Sequence, residues 1–134
     1  MNIYKDLKRP WIAIIWFALW GLFQAYAVFS VIIGSWQRPE AFPEEAYNSL
    51  IYPDMFFIPL YLSASVLLFR MHRLGYICGL IAGGAVIYVM IYLIALSGLK
   101  GFENLIFDGL FLIVDTVAVI QVGIMSLKKK SISI

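Results

Sequence analysis

Four stretches of this chain, Trp11–Gly34, Ile51–Phe69, Leu74–Leu99 and Leu105–Leu127, run almost unbroken in apolar residues and carry only three charged side chains between them: Asp54, Asp108 and Asp115. Each is close to the ~20 residues that cross ~30 Å of hydrocarbon as a helix. The runs are too long for strands and lack period-two alternation. With no water to satisfy backbone groups, helices are the remaining solution. The expected fold is an all-α integral membrane protein, an antiparallel four-helix bundle forming one domain over residues 1–134. Composition agrees, since 63% of residues are hydrophobic and 13% charged, against ~45–50% and ~25% in soluble domains.

Orientation follows from Lys and Arg in the short flanks. Lys5, Lys8, Arg9, Arg70, Arg73, Lys128, Lys129 and Lys130 fall on one side, and only Arg38 and Lys100 on the other, beside Glu40, Glu44, Glu45 and Glu103. Both termini are therefore expected in the cytoplasm, with the plasma (inner) membrane of a prokaryote as the location. Trp11 and Trp36 bracket the first span at aromatic-belt depth. Ala25-Tyr26-Ala27 mimics a cleavable signal, but cutting there would strand seven apolar or small residues as a new terminus, so retention as the first helix is expected. Between spans one and two, Pro43-Glu44-Glu45-Ala46-Tyr47 predicts a short helix in the outer loop, Pro fitting the first turn and the Glu pair complementing its dipole. It would serve as a solvated cap or as an acidic collector for cations.

The chain has one cysteine, Cys78, and one histidine, His72. A single copy can build no internal disulfide, Cys-pair redox centre, structural zinc site or bis-His haem site. No cofactor or metal is expected. The ten basic residues form no patch of the kind that binds nucleic acid.

Gly75, Gly79 and Gly83 repeat every four residues on the third helix and predict a close packing face, against a helix of the same chain or against a second copy or partner membrane protein. The acids carry more information about function, because a charge at mid-membrane costs roughly 2.5–3.5 kcal/mol and usually marks a site facing the bundle interior. On the fourth helix Asn104, Asp108 and Asp115 form one stripe running inward from the outer surface. Asp115 is the leading candidate. No Lys or Arg lies within any span, so a cation, a ligand amine or hydrogen-bond donors would have to meet its charge. On the second helix Asp54, Tyr61 and Ser65 also share a stripe. Pro53 and Asp54 suit a helix first turn, and Pro59 frees the carbonyl of Met55. Gln24, Tyr88 and Tyr92 are expected at similar depth, with Gln24, Tyr61, Tyr88 and Asp115 at one level.

Three classes of function are consistent with these residues. The leading expectation is a non-catalytic accessory or structural membrane protein, in which a neutral Asp115 bonded to Gln24 or a Tyr acts as interhelical glue worth roughly 0.6 kcal/mol. The alternative is a binder or transporter of a small cation, proton or lipophilic amine, with aromatic faces adding cation–π attraction. The third is a lipid-phase, isomerase-like enzyme using one protonated and one ionised carboxylate. In helix count, expected topology and the Asp54…Pro59 pattern on helix two, the layout resembles the four-helix sterol-isomerase and sigma-2-receptor-like family. It differs from the small multidrug-resistance transporters, which place a Glu in helix one where this chain has Gln24.

Overall fold

The structure, a computed structural model, describes residues 8–38, 40, 42–100 and 105–132, except for the side chains of 97–100 and 131–132. Four helices account for nearly all of it: α1 (Trp11–Ile32), α2 (Glu44–Phe69), α3 (Arg73–Lys100) and α4 (Leu105–Ile132). All four are long and apolar enough to cross a membrane. They form an up-down-up-down ring in which α1 packs on α2, α2 on α3 and α3 on α4, while the α4–α1 seam is the thinnest of the four. Large apolar side chains such as Leu22, Phe29, Ile106 and Ile113 point outward, as helices solvated by lipid require. The chain is a small four-helix integral membrane protein.

The helix expected at Pro43–Tyr47 forms, but it is not separate. Residues from Glu44 run straight into α2, which contains both Pro53 and Pro59 in its interior. Asp54 therefore lies in the third turn, and the helix dipole that would have accounted for it in a first turn acts ten residues away. The prolines withhold hydrogen bonds from the carbonyls of Ser49 and Met55. At its other end α4 continues five residues past the expected limit, through Lys128–Lys130.

Helices α1 and α2 end in the same motif. After α1, Gly34 has φ +75°, with Ser35 N–H on Ser30 C=O and Gly34 N–H on Val31 C=O. After α2, Met71 takes the left-handed position at φ +56°, with His72 N–H on Leu67 C=O and Met71 N–H on Leu68 C=O. This is the Schellman arrangement, which favours glycine at the left-handed residue.

The bundle is tied at the basic end. Arg9 Nε donates to Phe69 C=O at 2.9 Å while its guanidinium covers the Phe69 ring. From the far terminus Lys129 Nζ donates to Met71 C=O and lies over the Tyr76 ring. Above this layer, Gly75 sits against the Leu67–Leu68 backbone, Gly79 against Phe17, Val122 and Leu68, and Gly83 against Val119. The three glycines thus face α2, α1 and α4 of the same chain. Gly84, beside them, faces open space.

Candidate functional site

Two hydrogen bonds set the register. Gln121 Oε1 of α4 accepts the Ala13 N–H at 3.0 Å, satisfying a first-turn donor of α1 that has no partner within its own helix. Ser65 Oγ of α2 donates to Ile14 C=O at 2.8 Å. Counting at 1.5 Å per residue from these rungs puts Tyr61 about 6 Å and Asp115 about 9 Å above them, and Gln24, Asp54 and Asp108 about 16–20 Å above. Tyr88, counted from the Gly79–Phe17 contact, falls in the upper group. The polar groups therefore form two layers, and the single level expected for Gln24, Tyr61, Tyr88 and Asp115 is split between them.

The upper layer surrounds a partly open cavity of about 920 Å³ in the half of the bundle away from the basic end. Gln24 of α1, Asp54 of α2, Tyr88 and Tyr92 of α3 and Asp108 of α4 all line it. Asn104 lies outside the described residues. Among the described residues that line it, none is Lys, Arg or His. Asp108 is 7% exposed, and its Oδ2 is enclosed without a hydrogen-bond partner. The hydroxyl of Tyr47, which also lines the cavity, is likewise enclosed and unpartnered. Tyr47, Trp20, Trp36 and Phe111 also line the cavity and were not among the candidates read from the sequence. The usable signal was the Trp16, Trp20, Gln24 spacing of four, which puts two indoles and an amide on one face of α1.

Asp115 does not line the cavity. It is completely buried in the lower layer, where Oδ1 accepts the Trp16 indole N–H at 2.8 Å and Oδ2 is enclosed without a partner. Its bonded partner is Trp16, where Gln24 or a Tyr was expected. Tyr61, 4% exposed, is buried in the same lower layer on α2 and does not line the cavity. An aromatic floor separates the two layers. Trp16 stacks on Trp20 with centroids 5.4 Å apart, and Phe111 touches both rings, at 6.0 and 5.8 Å. Trp20 and Phe111 face the cavity, and Trp16 holds Asp115.

Chemically, the upper layer is an apolar, aromatic chamber with acidic groups and, among the described residues, no internal countercharge. The volume is about thirty times a water molecule's ~30 Å³ share of liquid, a size for an organic molecule and far larger than a bare metal ion. Among the described residues no group of three His, Cys, Asp or Glu is placed to hold a metal. No protein-family model, curated protein or solved structure matches this chain.

Proposed function

We propose that this protein binds a lipophilic amine or a similar organic cation in the cavity and carries out no chemistry on it. The observation that carries the reading is Asp108: a nearly buried carboxyl, with one oxygen unpaired, faces a chamber walled by aromatic rings and, among the described residues, free of basic side chains. A buried polar group without a partner costs about 1–3 kcal/mol, more when charged. An ammonium group would remove that cost while its substituents meet Trp20, Trp36 and Phe111, through burial and cation–π attraction. Sites of this kind are concave, mostly apolar and furnished with a few convergent polar groups. On the positive-inside reading the cavity lies in the external half of the membrane.

The test is saturable quenching or enhancement of tryptophan fluorescence by butylamine in purified protein, since Trp20 and Trp36 line the chamber. Asp108→Asn should weaken binding about tenfold or more, the loss of a charge-assisted hydrogen bond, with the helical spectrum and thermal stability retained. Equal binding by wild type, Asp108→Asn and Asp54→Asn would overturn the reading. A second reading, an accessory protein whose acids act as glue, has support from the Trp16–Asp115 bond, which joins α1 to α4 with no access from the cavity.

A further inference from the structure

We infer that the ligand is a long-chain amphiphile whose ammonium head sits at Asp108 and whose hydrocarbon chain leaves sideways through the α1–α4 seam into the surrounding lipid. This rests on the cation reading above and adds a route and a class of ligand to it.

The seam is closed below and open above. Among the described residues, the hydrogen bonds and ring contacts that join α1 to α4, Ala13 with Gln121, Trp16 with Asp115 and the Trp16 and Trp20 rings with Phe111, lie at or below the aromatic floor. Above the floor, Phe23 of α1 and Phe107 of α4 both line the cavity, yet are 47% and 61% exposed. Helical geometry explains this. Phe23, Ala27 and Val31 are spaced by four and form one ridge along the edge of α1 that faces α4, while Phe107 is four residues before Phe111 on the edge of α4 that faces α1. The two rings flank the cavity from α1 and α4, and Ala27, the smallest side chain of the ridge, leaves the ridge low between Phe23 and Val31.

The charge and the opening together select the occupant. Asp108 is one turn from the start of α4, so its carboxyl is about 5 Å below the helix end, a depth where an ammonium head remains near the headgroup region. Below that depth the opening faces hydrocarbon, where an alkyl chain is already dissolved. A water-soluble amine would leave the apolar seam unfilled; an amphiphile fills it and loses little of its contact with lipid.

The experiment uses the protein in phosphatidylcholine nanodiscs and two probes with the same ammonium head. Butylamine is added from water and dodecylamine is dissolved in the bilayer, with dodecanol as the uncharged control. Tryptophan fluorescence follows each. Both amines should saturate the signal in wild type, dodecanol should not, and Asp108→Asn should weaken both. Ala27→Phe, which fills the low point of the ridge, should weaken dodecylamine about tenfold more than butylamine, the equivalent of a chain denied its seat. Val31→Phe, one turn higher, provides the same comparison should Ala27→Phe fail to fold. If both seam variants shift the two amines alike, or if dodecanol saturates as well as dodecylamine, lateral seating is overturned and the cation cavity stands. If neither amine saturates wild type, the cation reading itself falls.

Discussion

One substitution, glycine to alanine, should change stability in opposite directions at four positions of α3. The gain common to all is helix propensity, about 0.8–1.0 kcal/mol in favour of alanine. At Gly84 an added Cβ meets nothing within 4 Å, so Gly84→Ala should realise most of that gain. At Gly79 the nearest atoms, Phe17 Cε2 and Val122 Cγ1, would be 3.4 Å away, close to ordinary contact, and Gly79→Ala should be near neutral or slightly stabilising. At Gly83 the new methyl would overlap a Val119 methyl, which must turn off its rotamer at about 0.5–1.5 kcal/mol, cancelling the gain. Gly75 is different, because its Cβ would stand 2.7 Å from Leu67 C and Leu68 N, which are backbone and cannot rotate away. Overpacking costs typically 1–3 kcal/mol, so Gly75→Ala should lose stability overall. The assay is thermal or denaturant unfolding in one fixed detergent, followed by circular dichroism. The expected ranking is Gly84→Ala, Gly79→Ala, Gly83→Ala, then Gly75→Ala. A Gly84→Ala variant no more stable than Gly75→Ala would refute the intramolecular packing face.

Further outcomes follow from single contacts. Trp16→Phe leaves both oxygens of Asp115 without a donor and should cost about 1–3 kcal/mol, whereas Trp16→Phe combined with Asp115→Leu should recover most of the loss; additive effects in that double-mutant cycle would mean the bond contributes nothing. Gln121→Leu should destabilise by about 1 kcal/mol by orphaning the Ala13 N–H, measured by the same unfolding assay. Met71→Gly should stabilise by a few tenths to 1 kcal/mol, because the left-handed φ +56° costs a side chain but not glycine. Reporter fusions after Lys130 should read as cytoplasmic and fusions within 35–48 as external; an external C-terminus would invert the assignment of the cavity's side.

The helices were legible because hydrocarbon allows so few alternatives: long runs free of charge leave the backbone no choice but to satisfy itself. Where α2 begins was not legible. Pro53 followed by Asp54 looks like a helix start, and only the chain upstream, with Tyr47 N–H bonded to Pro43 C=O, shows a helix already two turns old when it reaches Pro53. Asp54, Asp108, Gln24, Tyr88 and Tyr92 were picked out by type, as polar groups in an apolar medium, and they do share one cavity. Asp115 was legible as an interior residue but not as one sealed away from the others. Its layer depends on the axial offset between helices, set by contacts such as Gln121 with Ala13 that no local pattern encodes. For the same reason Trp16 could not be named as its partner, since the rotation of α1 about its axis is fixed by packing against three neighbours.

The grip of both remote ends on the α2–α3 turn bears on how this chain could be divided. Arg9 holds the Phe69 carbonyl, Lys129 holds the Met71 carbonyl, and His72 Nδ1 accepts the Leu74 N–H where α3 begins. Of these, the Lys129 bond reaches from the α3–α4 hairpin to the α1–α2 hairpin at the place where the covalent link runs, while Arg9 fastens the end of α2 to the start of α1 within the first hairpin. Severing the chain between Met71 and His72 would remove a bond whose positional work is duplicated, so two separately produced pieces, α1–α2 and α3–α4, should find each other in a bilayer and reassemble as a non-covalent pair.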